Sequence, residues 1–160
     1  MSIDSFTELL EGFDPAALLP ELDTVLGRAE FFTRLAVMAG PIVLLVLGVL
    51  YFFAAPKEAN HRFGYRCYFG MGSIHAWQFS QRLAGITLGA LGLILTGVMI
   101  VITGGFARME AMDMVWKAVK CLAWEAGLAL AATLFINFTV MICYDSRGNF
   151  RAANRRKRKK

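Results

Sequence analysis

Three long stretches without a single charged side chain constrain the fold of this 160-residue chain more than any other feature. They are residues 35–55, 83–107 and 126–144, which contain 21, 25 and 19 residues respectively. A helix needs roughly 20 apolar residues to cross a hydrocarbon core about 30 Å thick, so each stretch is about long enough. Because lipid offers the backbone no hydrogen-bond partner, segments that cross it should be helical.

Composition supports the same fold class. Hydrophobic residues make up 57% of the chain and charged residues 18%, against typical values of roughly 45–50% and 25%. These values argue against a soluble globular enzyme, a disordered regulator and a secreted disulfide scaffold. The sequence therefore predicts an all-α protein, a three-span transmembrane helical bundle. Its membrane domain is expected at 34–145, with spans of about 35–55, 83–106 and 122–144.

The charges predict an orientation. The chain has 17 basic and 12 acidic residues, for a net charge of +5, and the basic ones concentrate in the loop 56–82 and the tail 146–160. Short cytoplasmic segments are enriched in Lys and Arg. Placing the loop and the tail inside puts 12 of the 17 basic residues there. We therefore expect a multi-pass protein of a bacterial cell membrane, with its N-terminus outside and its C-terminus in the cytoplasm.

The two ends of the chain differ in charge. The acidic segment 1–33 has apolar residues at helical spacing, which predicts one or two amphipathic helices broken around Pro15 and Pro20. Such helices either lie on the outer membrane surface or dock another protein. The basic tail is expected to bind anionic lipids at the cytoplasmic face, with no direct contact to nucleic acid. Its six terminal residues are Arg155, Arg156, Lys157, Arg158, Lys159 and Lys160.

Several polar and small residues lie within the spans or at their ends. Gly85, Gly89 and Gly92 share one face of the second span, which favours close helix packing. In the third span, Thr133 and Asn137 are expected to hydrogen-bond across the bundle. Glu125 has two interpretations: a carboxylate that reaches water at the headgroups beside Trp124, or a mark of a transport path, as intramembrane acids often are. A path through three helices would require a homo-oligomer.

The loop between the second and third spans has apolar residues at helical spacing and an Asp113–Lys117 pair, which predict a short interfacial helix. No spacing of His61, His75 and the three cysteines resembles a zinc, haem or iron–sulfur site. Phosphate-binding, nucleophile-elbow and dinucleotide motifs are also missing from the sequence. We therefore expect no cofactor, no metal and no enzymatic activity.

The most specific motif lies in the loop between the first two spans. Ser73 is placed to cap the helix that follows, and Gly64 suits a tight turn. Arg66 and Arg82 suit bidentate contacts with phosphates or carboxylates. The whole motif consists of Asn60, Gly64, Tyr65, Arg66, Trp77, Gln81, Arg82 and Gly85.

This motif resembles that of the SdpI/YhfL family of small bacterial integral membrane proteins. That family carries Pro-x-Asn near the end of one helix, then Gly-[Ile/Tyr]-Arg-Thr, a Trp, and Asn/Gln-Arg-x-x-Gly entering the next helix. The resemblance covers roughly residues 38–104, with two departures. Cys67 stands where the family has Thr, and three residues rather than one separate Pro56 from Asn60.

The resemblance implies a non-catalytic protein with one of two roles. The family's named member confers immunity to a secreted toxic peptide and sequesters a transcriptional repressor at the membrane. The expected partner is therefore a membrane-active peptide or a cytoplasmic regulator. Two alternatives remain open: a small oligomeric transporter or channel subunit, and a scaffold that recruits a partner through segment 1–33. The motif residues also suit a purely structural role, shaping the turn between two helices.

Overall fold

Three long helices make up most of the molecule. The computed structural model describes residues 15–57, 59 and 63–151, with side chains from Gly27 onward. The helices are α1 (Pro15–Phe53), α2 (Ile74–Gly104) and α3 (Ala111–Cys143), with short 3-10 turns at Gly70–Gly72 and Phe106–Arg108. Within the described ranges no strand occurs, apart from a single antiparallel bridge between Tyr144 and Phe150. The predicted all-α, three-helix architecture is confirmed.

All three helices are long and apolar enough to cross a membrane. The candidate spans are Gly27–Phe53, Ile74–Arg108 and Ala111–Cys143. At a rise of 1.5 Å per residue, α3 is about 50 Å long, well beyond a hydrocarbon core of about 30 Å. The chain is therefore a multi-pass membrane protein whose helices extend past the apolar core.

The helices begin earlier than the charge-free stretches of the sequence. α2 starts at Ile74 and α3 at Ala111, whereas the apolar pattern placed the second and third spans from 83 and 122. A charge-free stretch shows which residues can lie in lipid. The helix itself can continue beyond that stretch, into the charged residues on either side. Ser73 supplies the expected N-cap of α2, since its Oγ accepts a hydrogen bond from the backbone N–H of Ala76 at 3.1 Å.

Two sequence-based helix boundaries were wrong. The backbone is helical from Pro15 through Pro20 to Phe53, so no break occurs at Pro20. Pro15 opens the helix, where its missing N–H has no cost. The segment from Ala111 onward forms the first turns of α3 instead of a separate interfacial helix. Residues 1–14 of the acidic segment lie outside the described residues.

Glycines bring α1 and α2 into close contact, as their shared face predicted. Gly48 of α1 lies directly against the backbone of Gly89. A Cβ on Gly85 would come within 2.8 Å of Phe52, and one on Gly92 would collide with the backbone of Leu45. Three successive contacts of backbone on backbone therefore fix how these helices sit against each other.

Helix α3 packs against the α1–α2 pair through a narrow strip of side chains. Ala132, Ile136 and Val140 are buried toward one end, and Met114, Ala118 and Cys121 toward the other. Beyond its charged first turns, most of its remaining surface is apolar and exposed, which suits a helix that faces lipid on most sides. The apolar side chains that are more than half exposed include Met112, Trp116, Trp124, Leu130, Leu134, Phe135, Phe138 and Ile142.

Replacement of Gly92 by Ala should weaken the α1–α2 contact. Gly97→Ala is a matched control in the same helix, because a Cβ there meets no atom within 4 Å. Both substitutions gain the same helix propensity, so the difference isolates the steric effect. We expect Gly92→Ala to be less stable than Gly97→Ala by about 1–3 kcal/mol, as measured by unfolding in mixed micelles. Equal stabilities would contradict this packing.

Candidate functional site

The loop that joins α1 to α2 is fixed by two hydrogen bonds to one side chain. The backbone N–H of Tyr65 donates to Gln81 Oε1 at 2.8 Å, and Gln81 Nε2 donates back to the Tyr65 carbonyl at 2.7 Å. Gln81 is 2% exposed. Its side-chain amide therefore supplies the hydrogen-bond partners that the backbone N–H and C=O of Tyr65 would otherwise need from water or from another strand.

The side chain of Tyr65 connects the same loop to α3. Its hydroxyl lies 3.1 Å from Asn137 Oδ1 and 3.2 Å from the carbonyl oxygen of Thr133. The expected hydrogen bond of Asn137 across the bundle is thus present, with the loop as its partner. The hydroxyl of Thr133 instead donates to Leu130 within its own helix, at 2.8 Å, so the expectation for this side chain was wrong.

Trp77 and Gly64 form the adjoining turn. The indole is fully buried, and its Nε1 donates to the carbonyl of Pro56 at 2.8 Å. Gly64 has a φ of +120°, and a Cβ there would come within 2.7 Å of the Trp77 ring. Glycine is therefore required at position 64 for two reasons: only glycine readily adopts this backbone conformation, and a larger residue would collide with the indole.

Cys67 fits its position as a small buried group. A Cβ on Gly70 would meet its Sγ at 2.5 Å and the Ser80 hydroxyl at 2.9 Å, so the three residues are tightly packed. Burial raises the pKa of the Cys67 thiol, which favours the neutral form. The residue that departs from the family pattern thus packs here as an apolar side chain.

The turn that follows α3 packs onto the start of α2. Asp145 Oδ1 accepts the backbone N–H groups of Asn149 at 2.7 Å and Arg147 at 3.0 Å. These bonds, that of Asn149 above all, lower the pKa of Asp145. Ser73 Oγ donates to the carbonyl of Gly148 at 2.7 Å. We call the loop residues 63–73 and this turn, residues 145–149, the cap.

A groove of about 420 Å³ runs between the cap and α3. We call it the Arg66 groove. Arg66 and Asn137 provide its polar groups, and the rest of its wall is apolar or aromatic. Its lining residues are Arg66, Cys67, Tyr68, Phe69, Leu134, Asn137, Phe138 and Met141. Such a surface, polar at one edge and apolar along a membrane helix, fits an amphipathic ligand.

The motif residues have different positions relative to this groove. Gly64, Tyr65, Trp77 and Gln81 hold the cap in place, and Gly85 packs against α1. Arg66 lines the groove, whereas Arg82 is exposed on α2 and does not line it. Asn60 and the six basic residues Arg155, Arg156, Lys157, Arg158, Lys159 and Lys160 lie outside the described residues.

Glu125 faces the interior of the bundle. The side chain is 5% exposed, and Oε1 has no hydrogen-bond partner among the described residues. It lies two residues from the midpoint of α3 and faces Gly40 of α1. The neighbouring Trp124 is 71% exposed and points away from the bundle, so the two adjacent side chains lie on different faces of α3.

Sequence reasoning missed two parts of the site. Gly40 was not among the predicted site residues, although it is the residue that makes room for Glu125. The turn at 145–149 was treated as the start of a basic tail. Its composition, Asp-Ser-Arg-Gly-Asn, is typical of a turn and was a usable signal.

Comparisons of the chain with family models, with curated proteins and with solved structures gave no match. The resemblance of the loop motif to the SdpI/YhfL family therefore stays a prediction. No cluster of three or more metal-binding side chains occurs in the part of the chain that the structure describes.

Replacement of Gln81 by Leu should detach the loop from α2. The change removes two hydrogen bonds and leaves both backbone groups of Tyr65 without a partner. We expect a loss of about 1–3 kcal/mol in the free energy of unfolding. Gln78→Leu is the matched control, because Gln78 is exposed and its bond to Lys57 is long, at 3.4 Å. Equal losses for the two variants would contradict the role assigned to Gln81.

The phenol of Tyr65 should lose its proton at a higher pH than an ordinary tyrosine. Burial, followed by the nearby Cys67 and Tyr51, raises the pKa of Tyr65 to about 12, whereas an unfolded tyrosine titrates near about 10. The folded state thus holds this proton to a higher pH, so the free energy of unfolding should fall as pH rises from 10 to 12. Phenolate absorbance should show a transition near pH 12 that Tyr65→Phe removes. A transition unchanged in that variant would contradict the assignment.

Proposed function

We propose that this chain is a non-catalytic membrane protein of SdpI type that holds an amphipathic segment of a cytoplasmic regulator in the Arg66 groove. The observation that carries the proposal is the groove itself, with Arg66 at its polar edge and α3 as its apolar wall. The predicted orientation places this end of the bundle at the cytoplasmic face.

The cap supports a binding role because it is organised without a ligand. The Tyr65 backbone, the Trp77 indole and the Ser73 hydroxyl all have hydrogen-bond partners within the chain. A surface held in this way loses little conformational entropy when a partner binds. The other motif residues would then hold the cap in position, while Arg66 and its aromatic neighbours contact the partner.

The groove also predicts the character of the partner segment. The exposed ring of Tyr68 and the side chains of Phe138 and Met141 favour an apolar helix face. Arg66 favours a carboxylate beside that face, since guanidinium binds carboxylate in a bidentate manner. The basic tail, attached just beyond the cap, would add attraction for an acidic segment.

Immunity to a membrane-active peptide is the second candidate function. One wall of the Arg66 groove consists of Leu134, Phe138 and Met141 on a membrane-spanning helix. A peptide already inserted in the bilayer would reach this wall from the lipid side. Binding there would remove the peptide from the lipid before it disrupts the membrane.

Photo-crosslinking in intact cells tests the regulator proposal. A photoreactive residue at Tyr68, which is 77% exposed, should link the chain to one cytoplasmic protein. Arg66→Gln should reduce that product about tenfold, since losing one charge-assisted contact costs about 1.4 kcal/mol. Arg82→Gln is the matched control: it removes an exposed arginine at the same end of the bundle, outside the groove.

The same variants separate the two candidates. Protection of cells from membrane-active peptides, lost in Arg66→Gln and kept in Arg82→Gln, would favour immunity over regulation. A crosslinking product that neither arginine affects would contradict a partner in the Arg66 groove. Products that contain only lipid would contradict both functions.

A further inference from the structure

A second groove lies on the other side of α3, between α3 and α1. Its volume is about 430 Å³, within the usual range of small-molecule sites. Ala39, Val43, Leu122, Ala126 and Ala129 form most of its wall. Val43 and Leu122 are 54% and 40% exposed, so the groove lies on the outer surface of the bundle and is open to lipid.

The carboxyl group of Glu125 is the only ionisable group in this wall. One of its oxygens, Oε2, lies beside Gly40, where a Cβ would come within 2.5 Å. The other, Oε1, is buried and has no hydrogen-bond partner among the described residues. Glycine at position 40 thus leaves room for a carboxyl group with one oxygen that no described residue satisfies.

No positive charge of the described residues neutralises this acid. On α3, the adjacent titratable group is the thiol of Cys121. Along the axis, Lys120 is about 7.5 Å and Lys117 about 12 Å from Glu125, and Lys120 lines a different pocket, with Trp124. On α1, Arg34 lies six residues before Gly40 and pairs with Glu30. From α2, the uncharged Leu95 and Met99 pack in the same cluster as Cys121.

An unpaired carboxylate in apolar surroundings is costly. The site is therefore expected to hold one positive charge, either as a proton on Glu125 or as a cation beside it. An occupant suited to the groove needs an apolar body for the wall and a basic nitrogen for the carboxyl group.

From this geometry we propose that the groove binds a lipophilic amine that enters from the lipid. On binding, the O–H bond of the Glu125 carboxylic acid breaks and an N–H bond forms on the amine. The resulting ammonium donates a hydrogen bond to the carboxylate, and the site remains neutral overall. The proposal is independent of the Arg66 groove and its partner.

Carbodiimide labelling of the full-length protein in nanodiscs tests this site. Dicyclohexylcarbodiimide is lipophilic and reacts with protonated carboxyl groups. We expect one adduct, mapped to Glu125 by peptide mass analysis and missing in Glu125→Gln. N,N-Dimethylbenzylamine, a tertiary amine that cannot form an amide with the activated carboxyl group, should protect Glu125 at about one-tenth of the concentration that benzyl alcohol requires. The reason is that an ionic hydrogen bond is worth about 1.4 kcal/mol more than a neutral one.

Two further variants sharpen the test. Gly40→Ala keeps the carboxyl group and narrows the groove, so protection by N,N-dimethylbenzylamine should weaken. Glu110→Gln, at the exposed start of α3, should leave labelling and protection unchanged. The absence of an adduct at Glu125 would overturn the proposal, as would equal protection by benzyl alcohol, which would mean that the groove responds only to apolar volume. Labelling of wild-type protein decides both points even if a variant fails to fold.

Discussion

The pair of hydrogen bonds between Gln81 and the backbone of Tyr65 is the contact on which the capped end of the molecule depends. A loop that enters the end of a membrane bundle must find partners for its backbone groups, because little water is present to supply them. With both backbone groups of Tyr65 satisfied by α2, its ring is free to reach α3. Tyr65 thus connects the loop to α2 through its backbone and to α3 through its side chain.

The sequence predicts the helices and the loop motif well because both depend on local chemistry. Charge-free stretches identify membrane helices, Ser73 marks a cap, and Gly64 marks a turn. The residues of the loop motif lie close together in sequence, and the structure joins Tyr65, Trp77 and Gln81 in one hydrogen-bonded unit. The ends of the helices were less predictable, since α2 and α3 continue into charged flanks.

The position of Glu125 could not be derived from sequence. Whether an acid in a membrane helix faces lipid, headgroups or a neighbouring helix depends on how the helices are rotated against each other. That rotation follows from the packing of α3 on the α1–α2 pair, which places Gly40 opposite Glu125. The groove around them combines residues some 85 positions apart in the chain. No local sequence pattern predicts a contact between residues so far apart.

Helix α3 is common to both grooves. Its Asn137 and Met141 face the cap, and its Leu122 and Glu125 face α1. Since α3 buries only a narrow strip against its neighbours, ligands in either groove would add to its contacts with the bundle. This arrangement gives the molecule two separate surfaces. We propose that the one at the capped end binds an amphipathic segment and that the one between α1 and α3 binds a lipophilic amine.

The cap is a folded part of the bundle before any partner binds. Hydrogen–deuterium exchange of the ligand-free protein in nanodiscs tests it at one amide, the N–H of Tyr65. If Gln81 holds that group as described, its exchange should be slowed at least about tenfold relative to an unstructured peptide of the same sequence, as for an N–H that has one stable hydrogen bond. Exchange at the rate of the unstructured peptide would contradict the account.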